Sequence, residues 1–127
     1  MILLIVDGNN LFSHLHLDVG GNLTAAEGFL QQLELAAVSR DWEVTVVFDG
    51  PARFLPRETG PLVIQYAPSG KTADTVIERL VYQVPDRTHV VVVTQDRAEA
   101  NLVFGLGARV WAVRRLLEEV NSPSESQ

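Results

Sequence analysis

Five apolar residues, Ile2-Leu3-Leu4-Ile5-Val6, run without a break into Asp7-Gly8-Asn9-Asn10. A short run rich in branched residues that ends in turn chemistry reads as a strand buried on both faces. Such strands belong to parallel sheets flanked by helices, and the ligands of those sheets sit beyond the carboxyl ends of the strands. Asp7 is therefore expected at the mouth of a site. Val44-Thr45-Val46-Val47-Phe48-Asp49-Gly50 and Val90-Val91-Val92-Val93-Thr94-Gln95-Asp96 repeat the pattern. One aspartate at a strand end is ordinary punctuation. Three delivered to the same sheet edge point to a metal site.

Between these strands the pattern alternates. Asn9 to Leu17 reads as a short helix, and Thr24-Ala25-Ala26-Glu27 as a capping box that opens a helix running to about Arg40. Phe29, Leu30, Leu33, Ala36 and Ala37 recur there at helical spacing. A loop rich in Pro and Arg (Pro51, Arg53, Pro56, Arg57, Gly60) follows the second strand and is a candidate substrate rim. Leu62 to Tyr66 reads as an edge strand, and Pro68-Ser69-Gly70-Lys71 turns the chain into a helix from about Ala73 to Gln83. The fourth strand spans 89–94. Asp96 caps the next helix with Glu99 three residues on, and Gly105 ends it. A short strand at Arg109 to Ala112 and a helix at Val113 to Val120 complete the alternation of an α/β sandwich with a mainly parallel sheet. With 127 residues the chain suits one domain over 1–120, followed by a polar tail at 121–127.

Several functions are excluded by composition. Cysteine is absent, which removes disulfide partners, thiolate zinc sites and cysteine nucleophiles. The opening apolar run is too short for a signal peptide or membrane span, so a cytoplasmic chain without membrane association is expected. The net charge of −6 excludes a histone-like binder. Its distribution leaves a nuclease open: the first 50 residues carry one base, Arg40, and nine follow from Arg53 onward.

Carboxylates gathered without a cation repel by about 4 kcal/mol at 4 Å at a protein-like dielectric. Asp7, Asp49, Asp74 and Asp96 at one mouth therefore need a counter-charge, and oxygen ligands without His or Cys suit Mg²⁺ or Mn²⁺. Glu78, four residues after Asp74 on the same helix face, is a further candidate ligand. Such an ion suits phosphodiester hydrolysis. Asn10 and Thr94 can orient a carboxylate or meet a scissile phosphate, or act as simple caps. Arg53, Arg57, Lys71 and Arg97 are the candidate holders of the substrate backbone. His14 and His16, two apart, cannot share a helix face, which argues against metal-free cleavage by paired histidines.

The ordered set Val6-Asp7-Gly8-Asn9-Asn10, Phe48-Asp49-Gly50, Thr72-Ala73-Asp74 with Ile77-Glu78-Arg79, and Thr94-Gln95-Asp96 resembles the YacP-like branch of the NYN domains, which are PIN-like metal-dependent ribonucleases. The likeness extends through Val103-Phe104-Gly105-Leu106-Gly107-Ala108 and Leu116-Leu117-Glu118-Glu119-Val120. It implies a PIN-like three-layer sandwich with a five-stranded sheet of order 3-2-1-4-5. It also implies Mg²⁺- or Mn²⁺-dependent endonucleolytic cleavage of RNA, in the context of translation. The family's catalytic roles carry over onto Asp7, Asn10, Asp49, Asp74 and Asp96, with Thr94 beside them and Glu78 as an added metal ligand. The chain departs from the family in having Asn9 where relatives often place an aromatic, and in a brief loop between its second and third strands.

Two other classes compete with the endoribonuclease. A phospho-acceptor receiver also gathers acids at strand ends, but it needs a lysine at the end of the last strand, and Lys71 is the only lysine here. A catalytically inactive PIN-like module that binds RNA or a protein would keep the fold and lose cleavage.

Overall fold

A computed structural model describes residues 1–16, 23–50 and 60–122. The elements run β1 (Ile2–Asp7), α1 (Gly8–His14), α2 (Leu23–Arg40), β2 (Trp42–Phe48), β3 (Leu62–Tyr66), α3 (Ala73–Gln83), a 3-10 turn (Arg87–His89), β4 (Val90–Val93), α4 (Arg97–Gly105), β5 (Arg109–Trp111) and α5 (Val113–Asn121). The strands form one sheet of order β3-β2-β1-β4-β5, and every pairing is parallel. This is the PIN-like architecture and strand order expected. Several boundaries move by a residue or more, as in β4 at Val90–Val93 rather than 89–94, and one bears on capping: α2 begins at Leu23, so Thr24 lies inside its first turn rather than at its cap. Leucine enters a helix at little propensity cost, and the helix takes in two residues ahead of Ala25. The loop between β2 and β3, with Arg53 and Arg57, lies outside the described residues.

Strict alternation along the strands divides the core in two. Leu4, Val6, Val44, Val46, Phe48, Val91 and Val93 face α1, α2 and α5 through Leu11, Phe12, Leu30, Leu33 and Leu116. Ile5, Val47, Val90 and Val92 face α3 and α4 through Ala73, Ile77, Val81 and Val103. Because both faces are covered, all four residues of β4 are fully buried valines, and each such side chain contributes about 1.5–3 kcal/mol. Among the described residues no helix is long and apolar enough to cross a membrane.

Register sets where the chemistry falls. Asp7 pairs with Val47, and Val6 with Val93, so the residues just past β1, β2 and β4 emerge at the same edge. The first turns of α1, α3, α4 and α5 begin at that edge too. Gly70, with φ at +82°, lets the chain turn tightly from Pro68 to Lys71, closed by the Lys71 N–H donating to the Pro68 carbonyl at 2.9 Å. Thr72 then caps α3.

Candidate metal centre

Strand ends and helix starts are stitched together by side chains from the two polar turns. Asp7 Oδ1 accepts from the Asn10 N–H at 3.1 Å and so caps α1. Asn9 Oδ1 accepts from the Asp49 N–H at 2.7 Å, and Asp49 Oδ1 accepts from the Ala73 N–H at 2.6 Å, at the start of α3. Across the sheet, Asn10 Oδ1 accepts from the Thr94 hydroxyl at 3.1 Å and from the Gln95 N–H at 2.7 Å. Thr94 Oγ1 accepts from the Asp96 N–H, and Asp96 Oδ1 from the Glu99 N–H, which caps α4. Gln95 Oε1 accepts from the Val113 N–H and anchors α5. Acids at helix N-termini are favoured by the helix dipole as well as by these bonds.

Three carboxylates converge inside this frame. One oxygen each from Asp7, Asp74 and Glu99 lie within 4.8 Å of one another. Asp7 and Glu99 are buried, at 4% and 2% exposure, and Asp74 is half-buried. Neither Glu99 oxygen makes a well-formed hydrogen bond among the described residues: the Asp74 carboxyl and the Thr94 hydroxyl are its polar neighbours, and that hydroxyl is already given to Asn10. Burial pushes the Asp7 carboxyl up to about 6, and the negative charges of Asp74 and Asp49 add to it against the Asn10 N–H. Burial likewise pushes Glu99 up to about 8; the Asp74 carboxyl beside it favours a shared proton and the charges of Asp7 and Asp74 add to the rise, while the nearby Thr94 hydroxyl opposes it. An unpartnered buried carboxylate beside two others is costly, and hard oxygen donors in this arrangement suit a divalent cation. The residues fit the ion.

The candidate residues divide by position. Asp7 and Asp74 belong to the three-carboxylate group. Asp49, exposed, and Asp96, half-buried, stand at the same edge, where they cap α3 and α4 outside that group. Glu78 lies one turn along α3 from Asp74, half-buried and also outside it. Asn10 and Thr94 are brought into contact. Lys71 is exposed on the turn before α3, and Arg97 is exposed as the first residue of α4. Glu99 had been legible only as the partner of a helix cap. Its better signal is its place on an apolar stripe, four residues before the buried Val103 and seven before Leu106.

The family model for the YacP-like NYN domain matches residues 4–127. The chain belongs to this family. NYN domains are PIN-like nucleases, and the acid cluster at the carboxyl edge of this sheet is consistent with that class. The fold is similar to the crystal structure of Rae1 (YacP) from Bacillus subtilis, with a TM-score of 0.70 and 26% identity over 94% of this chain and 74% of that one. A point mutant of the same protein matches with a TM-score of 0.72 and 28% identity, over 94% and 75%. No match is found among curated proteins. For this NYN domain, then, three acids from β1, α3 and α4 offer a place to hold a cation.

Proposed function

We propose that the protein is a metal-dependent endoribonuclease that hydrolyses RNA phosphodiester bonds at the carboxyl edge of its sheet. The observation that carries this reading is the pair of buried, unpartnered Glu99 oxygens beside Asp7 and Asp74. Those three carboxylates would hold Mg²⁺ or Mn²⁺. When bound, the ion supplies Lewis acidity toward a phosphate oxygen and lowers the pKa of a water.

The chain's own groups do the rest. Asn10 Oδ1 is engaged by Thr94 and Gln95, which orients the amide and leaves its Nδ2 hydrogens to donate to a phosphate oxygen. Asp49 and Asp96 fix the starts of α3 and α4, and through them the positions of Asp74 and Glu99. Glu78 extends the acidic rim. Lys71 and Arg97, with Arg53 and Arg57, hold the RNA backbone, since phosphate contacts position a strand without reading its bases.

The test is cleavage of an end-labelled RNA by wild type and Asp7→Asn, with and without Mn²⁺, with binding measured in parallel. Asp7→Asn keeps the cap on α1 and removes one charge from the cluster. Electrostatic help at a phosphoryl centre is worth a few kcal/mol, so cleavage should fall roughly a hundredfold or more while RNA affinity holds or rises. Equal cleavage by both proteins overturns the reading. Binding without cleavage by either favours the inactive RNA-binding module.

A further inference from the structure

A second feature of the same edge lies on the other flank of α3. A cleft of about 270 Å³ opens between the end of β3 and this helix. Gln65 and Tyr66 form one wall, Val76 and Leu80 the other, and Lys71 and Arg79 stand along it. Both cations are exposed.

Four of the other described bases are engaged, and Arg97 and Arg109 are not, but only Lys71 and Arg79 stand together along one cleft. Arg40 and Arg115 pair with Glu119, and Arg114 with Glu118. Arg87 donates to the carbonyls of Val81, Tyr82 and Leu106. Lys71 and Arg79 have neither an acid nor a carbonyl partner among the described residues, in a chain whose net charge is −6. Two such cations along one apolar wall match a polyanion that carries flat, apolar bases. Tyr66 contributes only the end of its strand to this wall, because its ring stacks on Phe48 on the α1 and α2 face, with centroids 5.6 Å apart and planes at 26°. Gln65 offers an amide, which can both donate to and accept from a base edge.

The cleft and the acid cluster share the first turns of α3, where Asp74 is followed directly by Thr75 of the cleft. Asp74 belongs to the cluster, whereas Lys71, Val76, Arg79 and Leu80 line the cleft. We infer that this cleft is a subsite for single-stranded RNA, in which Lys71 and Arg79 hold phosphates flanking the scissile bond and the apolar wall of Val76 and Leu80 receives the adjoining base, whose edge meets the Gln65 amide. The inference rests on the nuclease reading for its substrate, and it adds where the strand leaves the acids and which residues set base preference.

The test uses the full chain carrying Asp7→Asn, so that RNA stays intact, with and without Lys71→Ala and Arg79→Ala together. A labelled single-stranded RNA oligonucleotide is the probe. Affinity at low salt should fall about tenfold, and the slope of log K against log salt should flatten by about 1.4, for two phosphate contacts. Arg109→Ala, the loss of one exposed base at the opposite edge of the sheet, should change neither, and the melting temperature should hold in all variants. In the otherwise wild-type chain the double substitution should raise KM and leave kcat in place. Unaltered affinity and salt slope overturn the subsite, as does a fall in kcat with KM unchanged. If wild type shows no Mn²⁺-dependent cleavage and RNA binding still depends on Lys71 and Arg79, the nuclease reading fails and the subsite stands.

Discussion

Asn10 and Thr94 stand 84 residues apart in the chain and are joined by a hydrogen bond of 3.1 Å. It is the middle link of a chain of bonds that starts at β1 and ends in α4. The Thr94 hydroxyl donates to Asn10 and accepts from the Asp96 N–H, and Asp96 in turn caps the helix that carries Glu99. The separation of the cluster's acids therefore depends on a hydroxyl that belongs to none of them. Thr94 is 4% exposed, so its partners have little water to turn to. Thr94→Val keeps the shape and removes both bonds, which should cost about 1–2 kcal/mol in chemical denaturation. Thr94→Ser should restore most of it. A stable Thr94→Val would show that the link does not hold the edge together.

Gly8 is required by a neighbour rather than by its backbone angles. A Cβ at this position would lie 2.5 Å from the Phe48 ring. That ring cannot retreat, because it is fully buried between Phe12, edge-on at 5.1 Å, and Tyr66. Alanine favours a helix over glycine by about 1 kcal/mol, but overpacking costs about 1–3 kcal/mol, so Gly8→Ala should destabilise overall. Phe48→Leu should relieve the clash, giving a favourable coupling in a double-mutant cycle measured by denaturation. Additive losses would place the strain elsewhere.

How much of this was legible in the chain follows from the kind of information each residue carries. Strand ends announce themselves locally, so Asp7, Asp49 and Asp96 were visible at one edge, and Asp74 with them through the turn before α3. Which of those acids converge is a question of tertiary geometry. Asp49 and Asp96 sit where helix N-termini begin, and backbone N–H groups engage one oxygen of each. Glu99 was hidden because a carboxylate three residues after an N-cap has an adequate local explanation. Only the packing of α4 against α3 and the ends of β1 and β4 turns it inward, and the acid's place among apolar residues was the clue to that.

The pH dependence of stability follows from the same burial. Asp7, raised to about 6, and Glu99, raised to about 8, both lie above their ordinary values of 3.8 and 4.5. Without a cation the folded state holds these protons after the unfolded state has released them. Their stabilising contribution is complete below the unfolded values and is lost as pH rises through 6 and then 8. In chelator, the melting temperature of wild type should decline relative to Glu99→Gln between pH 5 and 8.5. Parallel curves for the two proteins would mean that Glu99 titrates as an ordinary carboxylate.

Addition of a divalent cation should counter the same repulsion, and the variants separate the acids that hold it from those that only frame it. A ligand that binds only the folded state stabilises by RT ln(1 + [L]/Kd), about 2.7 kcal/mol at a hundred times Kd. Millimolar Mn²⁺ near neutral pH should therefore raise the wild-type melting temperature by several degrees. Asp74→Asn and Glu99→Gln each replace a carboxyl of the group of three with an amide that cannot ionise to hold the ion, so each should abolish most of that rise. Asp49→Asn and Asp96→Asn keep an oxygen that can accept from Ala73 and Glu99, so the helix caps persist and most of the rise should remain. The measurement is the difference in melting temperature with Mn²⁺ and with chelator for all five proteins. Loss of the rise in Asp49→Asn as large as in Glu99→Gln would move the cation outward, toward the gap between β1 and β2. A wild-type melting temperature indifferent to Mn²⁺ would remove the metal centre altogether.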